Sequence, residues 1–128
     1  MAANQNKGWS LLIFKFWLPV IICMGCISYM SSLPGEDIPL LFPFQDVVFH
    51  GIIYAVLGFL FLRAFKNSFR DLDFIGLLIV TVLFGLAYGI LDEIHQIYVP
   101  GRSCSGFDIL IDAAGSFIGG FAGLLAGL

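Results

Sequence analysis

The sequence contains few charged residues. Only 12% of its 128 residues are charged, about half the fraction found in soluble domains, whereas 59% are hydrophobic. Six Lys and Arg stand against nine Asp and Glu, so a basic stripe that would bind nucleic acid is missing and we expect no such partner. A soluble domain this small could not hide so much apolar surface. The composition therefore predicts an integral membrane protein.

Apolar runs of membrane-spanning length occur four times. A spanning helix needs about 20 mainly apolar residues, and the runs cover residues 9–30, 46–62, 74–96 and 108–128. The breaks between them contain Pro, Gly or several charged residues, which are typical of loops. We predict an all-α integral membrane bundle of four transmembrane helices, forming a single domain of residues 1–128.

Basic residues gather on one side of this topology. They precede or begin the first helix, or lie between the second and third: Lys7, Lys15, Arg63, Lys66 and Arg70. The loop after the first helix has no Lys or Arg, and the loop after the third has one, Arg102. Because positive residues favour the cytoplasmic side, we expect both termini to be cytoplasmic.

Most other ionisable residues fall at the opposite, outward ends of three helices. With the polar residues near them, they form one candidate site: Asp46, His50, Tyr54, Asp92, Glu93, His95, Gln96, Arg102, Asp108 and Asp112. Spacings of three or four residues put Asp46, His50 and Tyr54 on one helical stripe, and likewise Asp92 with His95 and Gln96, and Asp108 with Asp112. Arg102 is the only cation in these segments beside five carboxylates. Protons, imidazolium, water or a bound cation must offset the remaining charge.

Several segments at this site form a combination of motifs. They read DVVFH at 46–50, YGILDEIHQ at 88–96, VPGRS at 99–103 and DILID at 108–112. Together they resemble the VanZ-like family of small membrane proteins, named after a protein associated with resistance to the glycopeptide teicoplanin. The resemblance covers about residues 10–127 and implies a multi-pass protein of the bacterial cytoplasmic membrane. This chain has Val47 where the family often has Lys, and Asp112 where it often has Asn, so its cluster is more acidic.

The cluster is compatible with more than one chemistry. As a binding site at the outer leaflet, it would bind a membrane lipid or a lipid-linked cell-wall precursor, with Arg102 as the anchor for its phosphate and Asp46, Tyr54, Glu93, Gln96, Asp108 and Asp112 around it. As an enzyme, it would use His50, Asp92 and His95 in acid–base catalysis, or as ligands to a divalent metal such as Zn²⁺ or Mn²⁺.

Other interpretations of the cluster remain open. The polar residues would also serve as a purely structural clamp between helix ends. A proton or ion carrier would need oligomerisation, because four short helices with polar groups near one face give no complete path. The sequence lacks H-E-x-x-H and G-x-S-x-G, so no named hydrolase motif decides between these alternatives.

The fourth predicted helix carries a ridge of small residues. Gly115, Gly119, Gly123 and Gly127 recur every fourth residue, a pattern that lets two helix backbones approach closely. We interpret the ridge as a packing face, and it is also the surface through which an oligomer would form.

Overall fold

The computed structural model describes residues 10–69 and 71–127, and these form a bundle of four long helices. Their bounds are α1, Ser10–Ser31; α2, Gln45–Ser68; α3, Phe74–Gln96; and α4, Gly106–Leu125. Each is long and apolar enough to cross a membrane, and the described residues contain no strand. The predicted all-α bundle of four transmembrane helices is confirmed. Lys7, Trp9, Arg70 and Leu128, which the sequence placed at a loop or a helix end, lie outside the described residues.

Helix α2 is longer than its apolar run. The sequence predicts an end near residue 62, whereas the helix continues to Ser68. Residues 63–68 contain neither Pro nor Gly, and two contacts with α1 fix this extension. The guanidinium of Arg63 lies 4.9 Å from the ring centroid of Phe16, and Trp17 Nε1 donates a hydrogen bond to Ser68 Oγ over 2.8 Å. Tertiary packing therefore extends the helix past the point where hydropathy falls.

Helix α1 packs less extensively than the other three. After a short α-helical start at residues 10–12 it contains a π-helical turn, Ile13–Trp17, in which no residue is buried, and it is α-helical again from Leu18. Its inner face, which includes Val20, Cys23 and Ile27, joins a core cluster with residues of α2 such as Tyr54 and Leu57. Most of its remaining surface is apolar and exposed, as expected for a helix facing lipid.

The closest helix pair is α2 with α4, and glycines make it possible. A Cβ placed on Gly115 would lie 2.6 Å from the carbonyl oxygen of Gly51, and one on Gly119 would lie 1.8 Å from that of Ala55. The ridge of α4 is thus a packing face, as predicted, and its partner is α2 of the same chain. Gly127 departs from the pattern, because it lies beyond the helix end with φ +74° and nothing near its Cβ position.

The two ends of the bundle differ in charge. At one end, which we call the acidic end, the C-termini of α1 and α3 meet the N-termini of α2 and α4. At the other end, Lys15, Arg63 and Lys66 line a cavity of about 570 Å³. The topology therefore separates the described basic residues of the predicted cytoplasmic side from the candidate site.

Candidate functional site at the acidic end of the bundle

The centre of the acidic end is a histidine–carboxylate pair between α2 and α4. His50 Nδ1 and Asp112 Oδ1 lie 2.8 Å apart, and the Asp112 side chain is fully buried. This is the one ion pair found among residues 10–69 and 71–127. One turn further along α2, the ring of Tyr54 lies parallel to the imidazole with centroids 6.3 Å apart, and its buried hydroxyl has no hydrogen-bond partner.

Two glycines of α3 make the space that Asp112 and Ser116 of α4 occupy. A Cβ on Gly89 would lie 2.7 Å from Asp112 Oδ2, and one on Gly85 would lie 1.9 Å from Ser116 Oγ. The polar face of α4, Asp112 and Ser116, therefore lies directly against the backbone of α3. Burying the Asp112 carboxylate has a high desolvation cost. We therefore interpret this close fit as a feature of the site and not of general helix packing.

Glu93 connects α3 to the beginning of α4. Its side chain is completely buried, and its Oε2 accepts a hydrogen bond from the backbone N–H of Ser105 over 2.6 Å. Ser105 in turn is the N-cap of α4, where its Oγ accepts from the N–H of Asp108 over 3.3 Å. The second carboxylate oxygen of Glu93, Oε1, has no hydrogen-bond partner.

The other predicted polar residues of α3 face α1. Gln96 Nε2 donates to Asp92 Oδ2 over 3.2 Å and to Ser31 Oγ over 3.4 Å, and all three residues are buried. His95 is exposed, and its Nε2 lies 3.0 Å from Ser32 Oγ. The sequence placed Asp92 and His95 together on one face. In the structure both residues lie on the side of α3 that faces α1, where Asp92 bonds Gln96 and His95 contacts Ser32.

Arg102 is positioned by a contact between two loops, the one that joins α1 to α2 and the one that joins α3 to α4. The N–H of Gly35 donates to the carbonyl oxygen of Pro100 over 3.0 Å, and a Cβ on Gly35 would lie 2.0 Å from the oxygen of Gly101. Gly101 has φ +72°, a conformation that L side chains rarely adopt. Arg102 is half-buried and forms no ion pair with any carboxylate that the structure describes.

Two adjoining cavities open at this end. The first, which we call the slot, has a volume of about 290 Å³ and lies between α1 and α2. Its walls are mainly apolar, and include Ile27, Met30, Phe49 and Ile53. The second, which we call the cup, has a volume of about 230 Å³, lies beneath the two loops, and includes Asp108 in its lining. Both cavities are lined by Ile38, Asp46, His50 and Arg102.

The ligand-type side chains that come together differ from the predicted metal candidates. His50, Glu93 and Asp108 each offer one ligand atom, and the three atoms lie within 4.8 Å of one another. The sequence proposed His50, Asp92 and His95 instead. In the part of the chain that the structure describes, those three form no such group, because His95 faces Ser32 and Asp92 bonds Gln96.

One residue of this end was missed in the sequence. Ser105 caps α4 and bonds Glu93, so it holds the N-terminus of α4 against α3. The signal was present, since Ser105 precedes Asp108 by three residues at the start of an apolar run, which is a helix N-terminal motif.

Comparison with known proteins identifies a family. The family model described as VanZ/LLP1 matches residues 16–126, which is nearly the whole chain and includes most of α1, all of α2, α3 and α4, and both cavities. No curated protein and no solved structure matches the sequence.

Proposed function

Since this chain belongs to the VanZ/LLP1 family, we propose that it binds an anionic lipid, or a lipid-linked cell-wall precursor, of the outer leaflet of the bacterial cytoplasmic membrane. In this proposal the acidic end faces outward and both termini are cytoplasmic. The lipid chain lies in the slot and its phosphate lies in the cup beside Arg102. A role in resistance to glycopeptides such as teicoplanin would follow from binding a precursor of the cell wall.

The observation that carries the proposal is the junction of the slot and the cup. An apolar cavity within the membrane-spanning part adjoins a polar cavity under the loops, and both share His50 and Arg102 in their linings. A ligand with an apolar chain and a polar head fits such a junction, because each part meets surface of its own polarity. The free guanidinium of Arg102 suits a phosphate, to which it can donate two parallel hydrogen bonds.

Arg102 has no ion-pair partner among the described carboxylates, and this distinguishes a binding site from a purely structural clamp. A clamp residue has a partner in the protein, as Glu93 has in Ser105. Arg102 lines both cavities without pairing with any described carboxylate. Replacing it should therefore weaken ligand binding and leave folding nearly unchanged, whereas a clamp residue would lower stability.

The test is direct binding of a polyprenyl phosphate to the purified chain in nanodiscs, with the matching polyprenol as the uncharged control. We expect the phosphate to bind more tightly, and Arg102→Ala to lose about tenfold or more of that affinity, as expected for a charge-assisted hydrogen bond. Arg63→Ala removes one positive charge at the other end of the bundle and should leave binding unchanged. Equal binding of phosphate and alcohol would contradict the proposal, as would equal losses in both variants.

The proposed role in glycopeptide resistance has its own test. A teicoplanin-susceptible Gram-positive host expressing the wild-type chain should need more drug for growth inhibition than one expressing Arg102→Ala at the same level. An unchanged inhibitory concentration with the wild-type chain would remove the resistance role and leave lipid binding to the nanodisc experiment.

A second candidate function, hydrolysis of the lipid phosphoester, is favoured by the His50–Asp112 pair. A carboxylate at 2.8 Å from Nδ1 orients the ring and leaves Nε2 available as a general base. Nε2 would take a proton from water, whose oxygen attacks phosphorus. The P–O bond to the lipid then breaks, and the lipid oxygen receives the proton back. Release of inorganic phosphate by the wild-type chain, abolished in His50→Gln, would support hydrolysis, and binding without release would exclude it for that lipid.

A further inference from the structure

The three-residue group at the acidic end has the composition of a cation site. It combines one ring nitrogen of His50 with one carboxylate oxygen each from Glu93 and Asp108, all within 4.8 Å of one another. The three residues come from α2, α3 and α4, so the bundle itself brings them together. One imidazole and two carboxylates are a ligand set found for Zn²⁺ and Mn²⁺ in proteins.

An unpartnered buried group provides a second, independent observation. Glu93 is 0% exposed, and its Oε2 is used by the N–H of Ser105. Its Oε1 is buried without any hydrogen-bond partner. A charged carboxylate with a buried oxygen in that state is strongly unfavourable, and a cation in contact with that oxygen would remove the penalty.

The hydrogen bonding of His50 matches that of a metal ligand. Asp112 occupies Nδ1 at 2.8 Å, which leaves Nε2 as the nitrogen available for coordination. Ligating histidines generally bond their other ring nitrogen to a carboxylate or carbonyl, which fixes the ring and strengthens the ligand. Gly89 makes room for this carboxylate, since any Cβ there would meet Asp112.

The negative charge of the acidic end would also be offset by a bound cation. Five carboxylates lie on the ends of α2, α3 and α4 that form it, and the described structure gives one of them, Asp112, an ion-pair partner, His50. Arg102 pairs with none of them. Uncompensated charge within a membrane-spanning bundle is costly, and an anionic ligand in the cup would add to it.

We propose that His50, Glu93 and Asp108 bind one divalent cation of the Zn²⁺ or Mn²⁺ class, with Asp112 as the positioning residue behind His50. The cup is lined by His50, Asp108 and Arg102, so a ligand there can reach both the cation and the guanidinium. The cation would thereby allow a phosphate to bind among carboxylates. The effect of the cation on phosphate binding rests on the proposed lipid binding, whereas the cation site itself does not.

Metal titration of the chelator-treated, detergent-purified chain tests the site. Mn²⁺ followed by electron paramagnetic resonance, and Zn²⁺ followed by calorimetry, should each show one saturable site per chain. Asp108→Asn should weaken binding at least tenfold, and Asp112→Asn should weaken it by about ten- to a hundredfold, the range seen for residues that support a ligand. Glu93→Gln should act like Asp108→Asn while retaining an acceptor for Ser105.

Asp37→Asn is the matched control, because Asp37 is an exposed carboxylate in the loop after α1, at the same end, and lies outside the three-residue group and both cavity linings. It should bind the cation like the wild type. Absence of a saturable site, or an equal loss in Asp37→Asn and Asp108→Asn, would overturn the proposal. If Glu93→Gln does not fold, the half-buried Asp108 decides the question.

The Arg102→Ala variant separates this proposal from the proposed function. It should keep the cation and lose the polyprenyl phosphate. Cation binding without any phosphate binding in the wild type would contradict the lipid proposal alone. Phosphate binding that is unaffected by chelator, in a chain that takes up no metal, would contradict the cation site alone.

Discussion

His50 on α2 and Asp112 on α4 are joined by a 2.8 Å contact between Nδ1 and Oδ1, with Asp112 fully buried. The pair crosses the closest helix interface of the bundle, where α4 glycines meet the α2 backbone. It thus connects the packing of α2 and α4 to the chemistry of the acidic end. Substitutions in the helix interface should affect the site, and substitutions in the pair should affect helix packing.

Removing one member of the pair should destabilise the protein, and preserving the hydrogen bond should not. Asp112→Asn keeps an oxygen acceptor for His50, so we expect a melting temperature close to that of the wild type. Asp112→Leu leaves the imidazole without its partner and should cost roughly 1–3 kcal/mol. Thermal unfolding in detergent measures both variants. Equal melting temperatures for the two would show that the pair contributes little to stability.

The α2–α4 interface should not tolerate a methyl group at Gly119. Its Cβ would lie 1.8 Å from a backbone oxygen of Ala55, and backbone cannot move aside cheaply, so Gly119→Ala should cost roughly 1–3 kcal/mol. Gly25→Ala is the matched control, since nothing lies within 4 Å of its Cβ position in α1. A similar loss of stability in both variants, measured by thermal unfolding, would contradict this packing.

Gly89→Ala should impair the site through a residue that carries no polar side chain. The added Cβ would lie 2.7 Å from Asp112 Oδ2, so the carboxylate must shift and the His50 contact must lengthen. We expect weaker cation binding, by about tenfold or more, as for loss of a supporting group. Gly51→Ala, whose Cβ would meet an isoleucine methyl at an ordinary 3.6 Å, should retain binding.

Gly101→Ala should displace Arg102 and reduce polyprenyl phosphate binding. Gly101 has φ +72°, which costs an alanine roughly 1–2 kcal/mol. Gly106→Ala provides a nearby control, because its Cβ position is open. Binding assays on both variants in nanodiscs measure the difference, and an unaffected Gly101→Ala would indicate that Arg102 does not depend on this turn.

The predicted orientation can be measured with a cysteine already present. Cys104 is exposed in the loop before α4, at the acidic end, so a membrane-impermeant maleimide should label it in intact cells. Asn67→Cys in a Cys104→Ser background places the thiol near the other end, where α2 finishes, and should be labelled only after cell lysis. The reverse pattern would invert the proposed topology.

Some features of this protein follow from composition and periodicity alone. Four apolar runs determine four helices, because a membrane requires every backbone polar group to be bonded within its own segment. The clustering of polar residues at one end follows from the same topology. The glycine spacing of α4 likewise predicts a packing face, since close helix contact needs small side chains.

Other features depend on side-chain positions that spacing does not determine. Helical spacing put Asp92 and His95 on one face, which lies toward α1, whereas Glu93 on another face lies next to His50 and Asp108. The reason is that α3 has two buried sides, so residues on different faces can each be functional. The sequence thus determined the fold and the polar end, and tertiary packing decided which polar groups meet, because those distances depend on how three helices are rotated against one another.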